Sequence, residues 1–409
     1  MELESMLIFG LILVAALLIP WYEGLLKKNT YLLAAVMLLA FAFALRAFLM
    51  DYRSGDYNDF LVHWVDYFRT SGGFKGFAGS VGNYNVPYLY FLALFSYLPL
   101  KDLYLIKLLS ISFDVVLAFG MMKLAGVFTR STPKRLAAYL LTLVLPTVII
   151  NGARWAQCDA IYTALAVLAL WLALTDRPKR SVAFMALSFG FKLQAVFILP
   201  IYLVLVFARK IKFRHLFIFP AVYAALIMPA VLFGRSFVDT LLLYAGQTDS
   251  IGTGLNYNSP SLFAMISGNA DTAALSAAGI AGAFLFVFAV FIWARRRRRN
   301  LGNEAILGIT LLFTVGIPFL LPRMHDRYFF MPDVLTLLPA VLWSGYIPAA
   351  VFASFASLLG YYAYFNYAYL LPMRYGSFAL IAVLLIFLSF ASEKLNSRRY
   401  DALPDDLSP

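Results

Sequence analysis

Charged residues are scarce in this chain. Only 13% of its 409 residues are Asp, Glu, Lys or Arg, whereas 62% are hydrophobic. A soluble domain usually has about a quarter of its residues charged. Apolar runs of 18 or more residues recur along the sequence, and each is long enough to cross a hydrocarbon core of about 30 Å. The composition therefore excludes a soluble globular domain and predicts a polytopic membrane protein.

Cysteine and histidine are also rare. The one cysteine, Cys158, excludes an internal disulfide, and the three histidines are scattered at positions 63, 215 and 325. No HExxH motif or acidic cage accompanies them, so we predict no metal site. A glycine-rich phosphate loop is also missing, which disfavours ATP or a sugar nucleotide as substrate. We expect no cofactor.

The chain's net charge of +12 comes from short basic clusters between apolar segments. Such clusters are typical of cytoplasmic loops and of contacts with anionic lipid head groups, and they do not indicate nucleic-acid binding. The first apolar run follows two acidic residues and lacks a basic leader, so we interpret it as a transmembrane helix and not as a cleaved signal. The basic clusters are Lys27-Lys28, Arg130 to Arg135, Arg177 to Arg180, Arg209 to His215, Arg295 to Arg299 and Lys394 to Arg399.

The apolar segments predict an all-α bundle of about 11–13 transmembrane helices in a single domain, 1–409. Two regions are ambiguous. Residues 86–125 fit two helices with a turn at 99–101, or one helix after a re-entrant piece. Residues 181–207 have basic residues at both ends, so we expect two half-helices broken near Phe191-Lys192. After the first run, the spans are 31–50, 86–100, 104–125, 135–150, 159–175, 181–207, 214–233, 274–294, 304–321, 328–343, 346–365 and 376–392.

Two long polar segments, 51–86 and 234–262, are predicted to form external loops on the non-cytoplasmic face. In the first loop, "RSGDYNDFLVHWVDYFRT" places Phe60, Trp64 and Phe68 on one helical stripe with Asp56. Such a helix could lie in the membrane interface with its aromatic stripe among the head groups. Its carboxylates could simply form a solvated face, or Asp56 could cap the helix.

Further polar islands interrupt the apolar runs. Ionisable groups at membrane depth usually face a cavity that serves a ligand or an ion. Snorkelling of Lys192 and contact of Arg323 and Arg327 with lipid phosphate are the alternatives. Carboxylates beside cations would suit a phosphorylated lipid donor and a hydroxyl acceptor. The islands are "GNYNVPYLY" (82–90), "NGARWAQCDAIYTA" (151–164), "FKLQAVFILP" (191–200) and "LPRMHDRYFFMPDVL" (321–335).

These islands resemble a known family when they are taken in order. "WAQCDAIY" and "FKLQ" are similar to the WGQxDxxY and KxQ segments of bacterial and archaeal integral-membrane mannosyltransferases related to the GPI second mannosyltransferase. "RMHDRYFF" resembles their MHERY-type signature, with Asp326 in place of the more usual Glu. "SGDYNDFLVHW" and "NYNVPYLY" resemble their first external loop. Ala156 stands where Gly is commoner, a change that we expect to be mild.

The resemblance implies a GT-C glycosyltransferase that uses a polyprenyl-phosphate sugar and transfers mannose or glucose to a lipid or glycan acceptor. It implies Asp56 as the catalytic base, with Asp59 as its substitute. Donor phosphate binding falls to His325 and Arg327, with Arg154 and Lys192 as further candidates. The remaining substrate-binding candidates are Trp64, Tyr84, Asn85, Gln157, Asp159, Gln194, Asp326 and Tyr328.

A transporter or flippase of lipid-linked sugars is the main alternative, because it would also bind phosphates between helices. Transporters often have broken helices at corresponding positions in two halves of the chain, and the sequence has no such pairing. We therefore expect an enzyme in a prokaryotic plasma membrane, with its active site facing outside.

Overall fold

A computed structural model describes residues 1–250, 252, 254–266 and 272–396 of the chain. The described residues are mostly helical, and one two-stranded parallel sheet joins β1 (Asn256–Tyr257) to β2 (Met324–His325). The helices are α1 Leu3–Tyr22, α2 Asn29–Leu49, α3 Val62–Thr70, α4 Val86–Phe95, α5 Asp102–Phe128, α6 Thr132–Val144, α7 Pro146–Ile149, α8 Asp159–Leu174, α9 Pro178–Phe191, α10 Ile201–Phe207, α11 Ile218–Leu232, α12 Phe237–Leu241, α13 Leu243–Ser250, α14 Thr272–Arg296, α15 Asn303–Leu320, α16 Phe330–Leu342, α17 Ile347–Asn366 and α18 Arg374–Asn396.

The prediction of a polytopic helical membrane protein is confirmed. Within the described residues, eight helices are long and apolar enough to cross a membrane, and a ninth span results if the pair α6 and Pro146–Arg154, bent by 46°, is counted as one. Four shorter apolar helices account for most of the other predicted segments: Val86–Phe95, Asp159–Leu174, Leu193–Phe207 and Phe330–Leu342.

The bundle has two chemically different ends. At one end, which we call the basic end, Glu23 pairs with Lys123 and Arg135, Lys134 donates to the carbonyl of Leu342, and Lys210 lies 3.9 Å from Asp176. The loops at this end of the bundle carry most of the basic clusters. At the opposite end, the cavity end, the N-terminal amine lies 3.6 Å from Asp51, and Arg69 bonds Asp102. Segment 51–86 and the start of segment 234–262 share this end, since Phe233, directly before the second segment, stacks on Phe74 and a Cβ on Gly234 would lie 3.3 Å from the Ala78 Cβ.

Both ambiguous segments have defined structures. α9 ends at Phe191, Lys192 is extended, and a 3-10 turn, Leu193–Phe197, leads into α10. The predicted break is therefore confirmed. α9 starts at the basic end, and α10 ends there. α4 has ten residues, about 15 Å of helix, which is too short to cross. The 86–125 region is thus a short helix followed by one long helix, α5.

Most residues of α5, α8, α15 and α16 are buried, whereas few residues of α11 and α14 are. Exposed apolar side chains on outer helices suit a lipid surface. α8 is buried on all sides. Its first residue, Asp159, lies at the cavity end with only 1% of its surface exposed. A rigid, fully packed helix therefore positions Asp159 at the inner end of the polar site.

The first loop contains a helix, as predicted, but most of its aromatic stripe packs against protein. A π-helical turn, Tyr57–Leu61, continues into α3. Phe68 is buried and Trp64 is 9% exposed, while Phe60 remains exposed. Phe68 packs on Phe77, so the stripe mainly faces protein and not the head groups. The aromatic spacing correctly indicated a helix, but the neighbouring 3-10 turn (Gly73–Ala78) covers that face.

Candidate active site

A cavity of about 290 Å³ lies at the cavity end of the bundle, close to the lower limit for small-molecule sites. Its wall comes from the first loop, the start of α4, the break after α9, the loop before α16, and α17. Predicted candidates form much of this lining: Asp56, Trp64, Tyr84, Asn85, Gln157, Lys192, Gln194, His325, Asp326, Arg327 and Tyr328.

The Asp56 carboxylate is held by several donors. Its Oδ1 accepts a hydrogen bond from the Tyr364 hydroxyl at 3.0 Å. That hydroxyl oxygen accepts from the Asp56 backbone N–H, so its own proton points to the carboxylate. Oδ2 accepts from Trp155 Nε1 at 3.1 Å and from Gln157 Nε2. A carboxylate has about four lone-pair sites, so Oδ1 keeps one direction for a further proton donor.

Two π-helical turns meet at this carboxylate. Asp56 directly precedes the turn Tyr57–Leu61, and Trp155 directly follows the turn Ile150–Arg154. π-helical turns are rare and often occur at functional sites. Ala156 comes next, with a left-handed φ of 64°, which costs a residue with a Cβ about 1–2 kcal/mol. This backbone explains why Gly would be favoured there, and Ala156 is a strained departure from the motif.

Arg327 lies among three carboxylates. Its Nη1 is 3.4 Å from Asp56 Oδ2 and 3.9 Å from Asp326 Oδ1, and its Nε is 3.8 Å from Asp159 Oδ2. The buried Nε has no hydrogen-bond partner among the described residues. The guanidinium is therefore held mainly by charge, and it keeps donors available for an anion.

Lys192 forms a close ion pair with Asp159. Its Nζ donates to Asp159 Oδ1, and the second oxygen of Asp159 accepts from Asn151 Nδ2 at 2.8 Å. The carboxylate also sits at the N-terminus of α8, where the helix dipole favours negative charge. Lys192 nevertheless lines the cavity. Since an ammonium has three donors, pairing with Asp159 leaves capacity for a ligand.

His325 is placed by the small sheet. β1 pairs with β2 in parallel, with Tyr257 opposite His325, and the two rings stack at 4.8 Å. Burial lowers the pKa of His325 to about 4, helped by the positive charge of Arg327. The imidazole is therefore neutral at pH 7. It can donate or accept a hydrogen bond, but it does not add the positive charge that we expected for phosphate binding.

Asp326 is 4% exposed. Burial raises its pKa to about 7, although the nearby Arg327 acts in the opposite direction. Its Oδ1 has no hydrogen-bond partner among the described residues. This carboxyl group therefore titrates near neutral pH and offers an open oxygen.

The opposite wall is aromatic. The Tyr84 hydroxyl donates to Gln157 Oε1 at 3.1 Å, and the Tyr84 ring lies edge-on to Trp64 at 5.3 Å. Gly82 has a positive φ, and a Cβ there would come within 2.6 Å of the Trp64 indole. Asn85 caps α4 and donates to the Tyr223 hydroxyl. Tyr84, Gln157 and Asp56 thus form one hydrogen-bonded chain.

The structure does not bring two candidates to the cavity. Asp59 is exposed and is not part of the cavity lining. The Arg154 guanidinium lies over the rings of Phe365 at 4.2 Å and Tyr52 at 4.7 Å, away from the lining. Asp159 lies just behind the wall, where it orders Lys192 and Arg327. Asp66 is exposed and bonds Arg69, as expected for a solvated carboxylate.

Sequence reasoning missed several contributors. Tyr364 is one of many aromatic residues in an apolar helix, and it stacks on Trp155 with ring centroids 4.0 Å apart. Trp155 and Asn151 lie inside a recognised island but were not singled out, and Tyr257 lies in the predicted second loop. Residues 251 and 253 of that loop lie outside the described residues. Position within the polar islands was the available signal for Trp155 and Asn151.

The arrangement combines a base with cations. Asp56 can accept a proton at Oδ1, while Arg327 and Lys192 can stabilise an anion in the same cavity. In the described part of the chain, no three His, Cys, Asp or Glu residues are grouped so that they could hold a metal ion. The chemistry that these side chains support is proton abstraction beside a developing negative charge.

Comparison with known proteins identifies a family. The model of glycosyltransferase family 87 matches residues 83–318, more than half of the chain. The matched region includes Tyr84, Gln157, Lys192 and Gln194, but it begins after Asp56 and ends before the segment of Arg327. A search of curated proteins finds no match.

Proposed function

The chain belongs to glycosyltransferase family 87, a GT-C type of membrane glycosyltransferase, and from that premise we propose that it transfers a hexose from a polyprenyl-phosphate donor to the hydroxyl of a lipid or glycan acceptor. The observation that carries this proposal is the Asp56 carboxylate, held by three donors at the cavity that Arg327 and Lys192 line. Mannose or glucose is the proposed sugar, in line with the resemblance to mannosyltransferases related to the GPI second mannosyltransferase.

The reaction that fits these groups is a single inverting displacement. The acceptor oxygen attacks the anomeric carbon while its proton moves to Asp56 Oδ1. The bond between the anomeric carbon and the phosphate oxygen breaks, and polyprenyl phosphate leaves with one more negative charge than it had as a diester. Arg327 and Lys192 stabilise that charge, and donors aimed at a charge that develops in the transition state are typically worth about 10²- to 10³-fold in rate.

Charge distribution supports an orientation. The basic clusters between spans gather at the end of the bundle opposite the cavity, and cytoplasmic loops are enriched in Lys and Arg. We infer that the basic end is cytoplasmic and that the cavity opens towards the non-cytoplasmic face of a prokaryotic plasma membrane. A lipid-linked donor would reach such a cavity from the bilayer.

The test is a transfer assay with purified protein in lipid. Polyprenyl phosphates carrying radiolabelled mannose or glucose serve as donors, and alkyl glycosides or a bacterial lipid extract serve as acceptors. We expect release of polyprenyl phosphate to depend on acceptor. Nucleotide sugars should give no product, and activity with them alone would overturn the donor assignment. A transporter of lipid-linked sugars would move the donor without cleaving it.

Asp56→Asn is the decisive variant. Removing a positioned base typically costs about 10²- to 10⁴-fold in rate, and Asn keeps the shape of the side chain. We expect near-complete loss of transfer with an unchanged unfolding temperature. The matched control is Asp59→Asn, because Asp59 lies three residues away and is exposed. Full activity of Asp56→Asn, or equal losses in both variants, would contradict the role of Asp56.

A further inference from the structure

Two buried oxygen atoms on residues of the cavity wall have no hydrogen-bond donor within the described ranges of the chain. Gln194 and Asp326 both line the cavity and are only 8% and 4% exposed. Gln194 Oε1 and Asp326 Oδ1 are both without a partner among the described residues. Buried polar atoms in native proteins are nearly always paired, so two open acceptors in one cavity require a physical reason.

The backbone holds both residues firmly. Gln194 belongs to the 3-10 turn that follows the break after Phe191, between α9 and α10. The Asp326 backbone packs directly on α17, where a Cβ at Gly360 would come within 3.2 Å of the Asp326 Cα. Both residues therefore have fixed backbone positions at the cavity wall. The nearest cation, Arg327 Nη1, is 3.9 Å from Asp326 Oδ1, beyond hydrogen-bond distance.

Gln194 Oε1 is an acceptor, and Asp326 Oδ1 is an acceptor when the carboxyl group is ionised, and this limits the ligand. A phosphate diester offers oxygen acceptors, so it could not pair with Gln194 Oε1, and an ionised Asp326 would repel it. A sugar hydroxyl offers a proton to either oxygen. Arg327 and Lys192 line the same cavity and provide the donors that a phosphate needs. The wall thus combines hydroxyl acceptors with phosphate donors.

We propose that Gln194 Oε1 and Asp326 Oδ1 form a subsite that binds two hydroxyl groups of the donor hexose and thereby selects the sugar. This proposal rests on the proposed function, since it names how the transferred group is recognised. Sites built to bind a substrate hydroxyl discriminate strongly against an analogue that lacks it, because the buried acceptor is then left unpaired.

The experiment combines three variants with deoxy donors. Gln194→Met and Asp326→Leu remove the acceptors and keep similar volume, and Asp326→Asn retains an acceptor oxygen. Each protein is assayed with the polyprenyl-phosphate hexose that the wild type transfers best, and with donors that lack one hydroxyl at position 2, 3, 4 or 6. Asp239→Leu, an exposed position in the described part of segment 234–262, is the control.

We expect kcat/KM with the complete hexose to fall about 10- to 100-fold in Gln194→Met and Asp326→Leu, and less in Asp326→Asn. For Gln194→Met and for Asp326→Leu, one deoxy donor should abolish the difference from wild type, because the hydroxyl and its acceptor are then both missing. Equal losses with every deoxy donor, or no loss with the complete sugar, would overturn the subsite.

Failure of the subsite and failure of the proposed function give different results. If the wild type transfers sugar but the variants and deoxy donors show no pairwise compensation, only the subsite is wrong. If the wild type transfers no hexose from any polyprenyl phosphate, the proposed function fails and the subsite falls with it.

Discussion

Two buried ion pairs lie in different parts of the bundle. Arg46 in α2 bonds Asp114 in α5, and both are at most 1% exposed. Each of the three guanidinium nitrogens of Arg46 has a partner, since Nη1 also donates to the carbonyls of Ala42 and Leu143. Lys192 and Asp159 are nearly as buried, but their pair adjoins the cavity and the loosely bonded Arg327. We call these the core pair and the cavity pair.

The comparison shows that charge at membrane depth does not by itself mark a functional site. The core pair joins α2 and α5 and closes onto the backbone of α6. Asp114 Oδ1 has no hydrogen-bond partner in the described part of the chain, but neither residue of the core pair lines the cavity. The cavity pair has equivalent chemistry beside a space that a ligand can enter. The two pairs differ in whether a ligand can reach them.

The sharpest test exchanges each pair for apolar residues. Arg46→Met alone should destabilise the fold by about 3–5 kcal/mol, because it leaves Asp114 buried without its partner. Arg46→Met with Asp114→Leu should recover most of that stability and keep transferase activity. Lys192→Met with Asp159→Leu should also fold, but it should lose about 10²- to 10³-fold in rate, since the phosphate donors are disturbed.

Unfolding temperature and transfer rate, measured on the same detergent preparations, check both double variants. Loss of activity in the core double variant at unchanged stability would remove the distinction between the pairs. So would full activity in the cavity double variant.

A smaller effect is expected from Tyr364→Phe. The change removes the hydroxyl that bonds Asp56 Oδ1 and the Asp56 N–H, but the ring can still stack on Trp155. Loss of one hydrogen bond to a charged group should reduce kcat about tenfold. KM should change little, because the Tyr364 hydroxyl is bonded to Asp56 and orients the base. A rise in KM with unchanged kcat would indicate a binding role instead.

Tyr362→Phe is the matched control, since it removes a hydroxyl from the same helix at a position that does not line the cavity. It should retain the wild-type kcat.

The sequence predicted much of the site because its polar residues interrupt apolar runs. Lys192 in such a run, with basic residues at both ends, correctly predicted the broken helix. Asp56, Gln157 and Arg327 belong to recognised islands, and the structure brings them together. Asp59 and Arg154 carried the same local signal, but their side chains point elsewhere, and spacing alone cannot separate such neighbours.

The missed residues have a physical explanation. Tyr364 lies 308 residues from Asp56 in the chain, so their contact depends on how α17 packs against the first loop. Arg46 and Asp114 lie singly within long apolar runs, and neither forms an island. The strain at Ala156 follows from its left-handed backbone. The sequence does not predict that conformation, because residues with a Cβ rarely adopt it.

The smallest expected effect concerns His325, whose imidazole can form hydrogen bonds in the cavity without carrying a charge at neutral pH. Its folded pKa of about 4 lies below the usual 6.5, so the unfolded chain binds a proton first as the pH falls. The stability that this histidine contributes is present above pH 6.5 and is lost between pH 6.5 and 4. His325→Gln should therefore reduce the acid-induced loss of stability by about 1 kcal/mol between pH 7.5 and 5.5. Arg327, Lys192, Asp56 and Asp326 act on both proteins, so their contributions largely cancel in the comparison. Parallel unfolding curves across this range would mean that the imidazole is protonated alike in both states, and the cavity would then hold a further cation.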